Sequence, residues 1–315
     1  MPAEPCRIGA AEIRIGASGW SYPSGPASWR GIFYPRARHL DELSFYSQYF
    51  PTVEVNSTFY RPADPVTVAR WAQKTPEGFD FCIKLWQRFT HPRMFQQAGG
   101  PPEPPTQAEA EQVRRALDTL AARGRLGMLL LQFPPSFGRQ PENEETLRRL
   151  LAWFQAYPRA VELRHRSWSD AGAETRHLLE EGGASWVLID EPTFALSVQQ
   201  PFAATDGRLY LRFHGRNREK WWAHGETWER YDYLYREAEL QPYARELRAA
   251  ATAGEVRNAY VFFNNHPRAK GLANAFQFMA QLSGEPITFP EGLATHYPQL
   301  TAIGKPDRAR GPLGL

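Results

Sequence analysis

The chain has 315 residues, 42% of them apolar and 13% aromatic, with ten Trp and a formal net charge of +3. Each aromatic side chain buries roughly 150–250 Å², which excludes a chain disordered over most of its length, and about 250 residues suffice for a (β/α) barrel around one continuous core. The weak positive charge permits an anionic partner without demanding one, and no run reaches the roughly 18 apolar residues of a membrane-spanning helix, so no membrane partner is expected.

The opening residues, MPAEPCRIGAAE, lack the apolar stretch of a secretory leader, and the expectation is a soluble cytoplasmic protein. A first strand is expected at 13–16. It is followed by GASGW, which is not the GxGxxG fingerprint of a dinucleotide-binding sheet. The loop after it carries Trp20, Tyr22, Trp29, Phe33 and Tyr34 among Gly and Pro, which suits either a pocket wall or core packing. A helix over 39–50 leads to a strand at 52–56, where Thr58 and Tyr60 in NSTFYRP would orient a substrate or cap the next helix. That helix, 65–74, precedes a strand at 79–84. Cys82 lies inside it, far from Cys6, so free thiols in a reducing compartment are expected. The Pro- and Gly-rich stretch 99–105 reads as a loop excursion over the mouth of the fold, before a helix at 106–123.

Strands at 126–132, 160–164, 185–190, 209–214 and 258–264 follow, with helices at 142–155, 171–181, 228–253 and 269–282 between and after them. Only the stretch from 191 to 207 lacks a clear helical period. His91 and His165, in loops after two strands, read as surface or structural histidines before catalytic ones. The loop GRNREKWWAHGETWERY interleaves Arg216, Arg218 and Lys220 with Trp221, Trp222 and Trp228, the composition of a ring-and-anion clamp or of a lid packed on the rim. Eight strands alternating with helices predict right-handed parallel crossovers and a TIM (β/α)8 barrel in a single domain, 1–315, with its core at about 13–282 and a terminal strap at 283–315.

Neighbouring strand residues point to opposite faces, so period two separates a helix-facing set from a lumen-facing set. In VEVN the valines take the helix side, turning Glu54 and Asn56 inward. The same sorting sends Lys84, Gln132, Glu162, Arg164, Asp190, Arg212, His214 and Asn264 into the lumen, with Ser18 just past the first strand. An unpaired ion inside a protein costs several kcal/mol, so these charges must be paired, hydrated or ligand-bound. One reading is a self-neutralising plug. The other is a site, because these groups close their strands and barrel enzymes keep their chemistry at the carboxyl ends.

On the second reading Lys84, Arg164 and Arg212 hold a small polar or anionic, sugar-like or phosphorylated substrate, with Ser18, Trp20, Asn56, Tyr60, Gln132 and Asn264 lining the pocket. Glu54, Glu162, Asp190 and His214 supply acid–base catalysis of a hydrolase, lyase or isomerase type. Two glutamates about 5 Å apart would fit a retaining glycosidase and about 6.5–9.5 Å an inverting one. The cofactor stays open: Glu162, Asp190 and His214 would also make a divalent-metal site of phosphodiesterase type, against which the two arginines count. A nucleic-acid partner for the basic Trp-rich loop is the alternative from another class. No GxSxG, HExxH or CxxC occurs.

The segments GASGWSYP, WRGIFYP, TVEVNSTFY, TP before FDFCIKL, FTHP, LLLQFPPSF, VELRHRSW, LYLRFHG and FFNNHPRAKGLANA occur in this order. In them the chain closely resembles the YecE-like family, the domain of unknown function number seventy-two, over about residues 13–282. The resemblance implies a (β/α) barrel and a shared pocket, and brings no reaction with it. The departures are the proline-rich stretch 99–105 and the tail past Ser283.

Overall fold

The computed structural model describes residues 3–307. Its strands are β1 (Cys6–Ile8), β2 (Ala11–Ala17), β3 (Thr52–Val55), β4 (Asp80–Lys84), β5 (Leu126–Gln132), β6 (Arg159–Glu162), β7 (Ala184–Trp186), β8 (Leu188–Asp190), β9 (Arg208–Phe213), β10 (Asn258–Phe263), β11 (Ile287–Pro290) and β12 (Gly304–Asp307). Helices α1 (Glu42–Tyr46), α2 (Pro65–Gln73), α3 (Gln87–Thr90), α4 (Pro92–Gln97), α5 (Gln107–Ala121), α6 (Pro141–Trp153), α7 (Arg166–Asp170), α8 (Gly172–Glu181), α9 (Glu237–Thr252), α10 (Lys270–Ser283) and α11 (Glu291–His296) alternate with them. The result is a mixed α/β fold with two five-stranded sheets, β1-β2-β10-β9-β8 and β3-β4-β5-β6-β7, in which every pairing but β1 with β2 is parallel.

The sheets meet at two margins. Ser18 forms a parallel bridge with Glu54, and the Gly19 N–H donates to the Glu54 carbonyl at 2.8 Å. At the other margin β7 pairs with β6 and β8 with β9, separated only by Val187, whose N–H donates to the Val161 carbonyl at 2.9 Å. The sixth expected strand therefore serves both sheets in succession.

Period-two alternation sorts the strands as their sequences require. Ile13, Ile15, Val53, Val55, Phe81, Ile83, Leu129, Leu131, Val161, Leu209, Leu211 and Val261 join the main core with the buried stripes of the helices. A second, smaller cluster on the opposite strand face gathers Cys82, Met128, Leu130, Ala160, Val187, Tyr210, Tyr260 and Phe262. Cys6 and Cys82 are both free thiols. At the amino ends of the strands Asp80 forms an ion pair with Arg14 at 2.8 Å and accepts from the Tyr260 hydroxyl at 2.6 Å.

Local chemistry sets the helix ends. Thr106 and Glu109 form a reciprocal capping box at the start of α5, and Ala110, Val113, Leu117 and Leu120 make its buried stripe. Two expected helices are shorter: 39–50 reduces to α1, and 228–253 reduces to a 3₁₀ turn, Thr227–Tyr231, followed by α9. Tyrosines 231, 233 and 235 are drawn instead into ring contacts and hydrogen bonds. The proline-rich stretch is pinned by Arg88, which donates to the carbonyls of Pro101 at 3.1 Å and Pro104 at 3.2 Å while pairing with Glu109 at 2.7 Å. The expected strap continues as β11, α11 and β12, and its part beyond residue 307 lies outside the described residues. Among the described residues no helix is long and apolar enough to cross a membrane.

Candidate functional site

Above the smaller apolar cluster, at the carboxyl ends of the strands, the polar side chains converge on Arg212, which is fully buried. Its Nε donates to Glu54 Oε2 at 2.8 Å and its Nη2 to Glu54 Oε1 at 2.7 Å, a bidentate fork. Its Nη1 donates to Glu162 Oε2 and to Gln132 Oε1 at 3.0 Å. Glu54 also accepts from Ser18 Oγ at 2.7 Å and from the Tyr210 hydroxyl at 2.8 Å, so four donors occupy its two oxygens. Glu162 accepts from Arg164 Nε at 2.6 Å, and the Arg164 and Arg212 guanidiniums hold its carboxyl well below the usual carboxylate range despite complete burial.

His214 completes this layer. Its Nε2 faces Arg164 Nη2 at 3.0 Å and Arg212 Nη1 at 3.2 Å, and burial together with the two guanidiniums lowers its pKa to about 3. The ring is neutral, and its Nε2 faces the two guanidiniums. Asn264 Nδ2 lies 3.0 Å from His214 Nδ1. Ser18, Glu54, Gln132, Glu162, Arg164, Arg212, His214 and Asn264 thus form one connected network, and the two carboxylates are matched by two guanidiniums.

Lys84 is the cation of this end that stands without an ion pair. It is half-buried, and its Nζ lies 4.1 Å from the centroid of the Phe59 ring. The charges of Arg212, Glu54, Glu162 and Arg164 all act on it, yet among the described residues no carboxylate comes within ion-pair distance. Burial, reinforced by Arg212, lowers its pKa to about 7. Its backbone is fixed, because Thr58 Oγ1 lies 2.7 Å from the Lys84 carbonyl and 2.8 Å from the Val55 carbonyl and shares its one proton between them. Asn56 lies one residue beyond the register pair Val55–Ile83, as Lys84 does, and its buried Oδ1 has no hydrogen-bond partner.

Asp190, expected in the lumen, faces the helices instead. It accepts from Arg216 Nε at 2.9 Å and Nη2 at 2.6 Å, from the Tyr235 hydroxyl at 2.6 Å and from the Tyr243 hydroxyl of α9 at 2.7 Å. In WVLID both faces are apolar, so the sequence carries no phase, and a shift of one residue exchanges the faces. Val187 and Ile189 take the face of the smaller apolar cluster, which makes Glu191 the residue that continues that face past the strand end. Sequence reasoning missed Glu191, and continuing the Val187–Ile189 phase by two positions would have found it. Its Oε2 lies 3.3 Å from Arg164 Nη1 without hydrogen-bond geometry, and burial pushes its carboxyl above the usual range. The set Glu162, Asp190 and His214 is therefore not brought together. Among the described residues no group of three or more His, Cys, Asp or Glu is placed to hold a metal ion.

Two further expected lining residues stand apart from the network. Trp20 packs edge-on against Trp71 of α2, with ring centroids 5.4 Å apart, and Tyr60 is 68% exposed beside Phe59. The basic loop after β9 is engaged internally: Arg216 with Asp190, Lys220 with Glu229 at 3.3 Å, and Trp221 buried with its ring 6.5 Å from His214 and 6.0 Å from Tyr231. Trp222 remains 59% exposed. The loop leaves His214 through Gly215 at φ 87°, a left-handed turn where a Cβ would also meet Tyr233. Tyr22, stacked on His266 at 4.5 Å, and Tyr231 add aromatic faces near the same end of the strands.

Fold and site together define a parallel α/β protein with a buried Arg–Glu–His network at the carboxyl ends of its strands. The chain belongs to the family described as protein of unknown function DUF72, whose pattern matches residues 14–296. It is 29% identical over 281 residues to the UPF0759 protein YunF of Bacillus subtilis (strain 168), covering 87% of this chain and 95% of that one. It is 28% identical to the UPF0759 protein YecE of Escherichia coli (strain K12), covering 56% of this chain and 59% of that protein. The crystal structure of a DUF72 family protein from Thermotoga maritima MSB8 superposes with a TM-score of 0.71 at 34% identity, covering 86% of this chain and 98% of its own. A DUF72 family protein from Enterococcus faecalis V583 gives 0.73 at 24% identity, covering 86% and 95%.

Proposed function

We propose that the two sheets close into one eight-stranded (β/α) barrel, a single domain, and that its carboxyl end is the pocket of an enzyme acting on a small polar or anionic substrate. The Ser18–Glu54 bridge and the strand shared at Val187 support closure. One observation carries the functional reading: Lys84 stands in a charged network with no carboxylate of its own, while each neighbouring carboxylate is taken by an arginine. Buried polar atoms without hydrogen-bond partners are rare, and here Asn56 Oδ1 and Glu191 Oε2 occur at the same ends of the strands as Lys84. An anionic group of a ligand would complete Lys84 and the edge of Arg164.

The roles divide by how far each group is already satisfied. Glu54, bound by four donors, and Glu162, held ionised by two arginines, position Arg212 and Arg164 rather than carry protons. Glu191, whose carboxyl burial pushes above the usual range and whose Oε2 has no hydrogen-bond partner, is the proton donor of this reading, and Lys84 is the group that exchanges a proton near neutrality.

Thermal denaturation during titration with inorganic phosphate, acetate and glycerol phosphate tests the pocket. The expected result is a saturable rise in Tm that disappears in Lys84→Met while that variant stays folded. A rise of equal size in Lys84→Met, or no rise with any of the three anions, overturns the reading.

A further inference from the structure

Among five lysines, Lys74 pairs with Asp41 at 2.6 Å, Lys220 with Glu229 at 3.3 Å and Lys270 with Asp232 at 2.7 Å, while Lys305 is exposed. The chain otherwise relies on Arg for its cations, and buried pairing in the network is done by Arg212 and Arg164. Lys84 differs in chemistry from these arginines, because an amine can become a nucleophile and a guanidinium does not deprotonate in proteins.

We infer that Lys84 is an imine-forming lysine and that the substrate class is an aldehyde or ketone bearing an anionic group. This rests on the pocket proposed above and deepens it. Three structural features support it. The Nζ has no ion pair to break before attack and lies 4.1 Å from the centroid of the Phe59 ring, which gives the amine an apolar wall. The strand end is held by the forked Thr58 hydrogen bonds, so the amine emerges from a fixed point. The fixed positive charges of Arg164 and Arg212 act on Lys84 and suit a substrate anion, and they favour the neutral amine that attacks.

The step is balanced without an oxidant or metal. The Nζ lone pair forms a bond to the carbonyl carbon while the C=O π pair moves to oxygen, which takes up a proton as nitrogen loses one, giving a carbinolamine. Protonation of that hydroxyl and expulsion of water leave a protonated C=N bond, which draws electrons from the adjacent carbon. Hydrolysis returns the amine and a carbonyl product. The buried, unpartnered Asn56 Oδ1 lies beside Lys84 along neighbouring strands and is a natural acceptor for the carbinolamine hydroxyl.

The full chain is incubated with pyruvate, and separately with dihydroxyacetone phosphate, in the presence of cyanoborohydride, which reduces C=N to a stable secondary amine. The labelled peptide is then mapped by mass spectrometry. Expected is labelling of Lys84 more than about tenfold above each other lysine, since a pKa near 7 leaves far more free amine at neutral pH than the ordinary lysine value. Labelling should rise through pH 7, fall with added phosphate, and vanish in Lys84→Arg. Even labelling of all lysines, or an unlabelled Lys84 in a protein that still shows the phosphate-dependent rise in Tm, overturns the imine and leaves the anion pocket standing. Loss of both signals removes the pocket as well.

Discussion

The two ends of the strands hold the same kinds of groups in different balance. At the amino ends, Arg14 meets Asp80 at 2.8 Å and Glu12 at 3.0 Å, and the Tyr260 hydroxyl donates to Asp80 at 2.6 Å. At the carboxyl ends, Arg212 forks onto Glu54, the Tyr210 hydroxyl donates to the same carboxylate, and Glu162 is shared with Arg164. A guanidinium, a carboxylate and a phenol recur at both ends. The amino-end set closes on itself, and Asp80 is there pushed above its usual range because burial outweighs Arg14. The carboxyl-end set is larger, has its centre at the fully buried Arg212, Glu54 and Glu162, and includes one cation, Lys84, without an ion pair among the described residues. A self-contained cluster needs no further partner, so the plug reading fits one end and the site reading the other.

The largest expected effect tests whether Arg212 is the centre of its network. Arg212→Leu leaves Glu54 and Glu162 in the interior without their shared cation, and breaking a buried pair of this kind costs about 3–5 kcal/mol. Chemical denaturation should show that loss, and a stability equal to wild type would make the two ends equivalent. Acid should act next. His91 and His214 are held down to about 3 and His266 to about 4, chiefly by burial, so each ring binds its proton more tightly once unfolded. Stability should then rise with pH from about 3 to the ordinary histidine value near 6.5 and be lost as pH falls through that window. A stability profile flat between pH 4 and 6.5 would contradict the neutral rings.

A smaller effect of opposite sign belongs to Lys84. Its folded pKa of about 7 lies below the ordinary lysine value, so below pH 7 the folded state carries the full penalty of a desolvated ammonium. Lys84→Met should be more stable than wild type there, with the advantage shrinking as pH rises from about 7 toward 10.4. A destabilised Lys84→Met at pH 6 would place Lys84 among the structural cations. The smallest effect is expected at the amino end. Asp80→Asn keeps an acceptor for Tyr260 and removes a charge that burial already disfavours, so its loss should stay near the net value of one hydrogen bond, about 0.5–1.5 kcal/mol. A loss as large as that of Arg212→Leu would erase the difference between the ends.

Alternation made most of this legible from the chain alone. Where one face of a run is polar at its end, as in VEVN, AVELR and LYLRFH, the lumen side of Glu54, Glu162, Arg164, Arg212 and His214 follows from period two, and the structure places them together. Where both faces are apolar, as in WVLID, period two is silent, and Asp190 and Glu191 were exchanged. Trp20 and Tyr60 lie in loops, where no periodicity governs direction, and their positions depend on Trp71 and Phe59.

The order of strands and helices, the split of each strand into a helix-facing and an opposite face, and the gathering of charge at the carboxyl ends were determined by the sequence itself, because they are properties of neighbouring residues along a pleated chain. Which charges are already satisfied was decided only by tertiary structure. Arg212 reaches Glu54 across 158 residues and Glu162 across 50, and electrostatic energy depends on such distances, which local patterns do not contain. That pairing is what leaves Lys84 without an ion pair among the described residues, while Glu54 and Glu162 are each held by arginine.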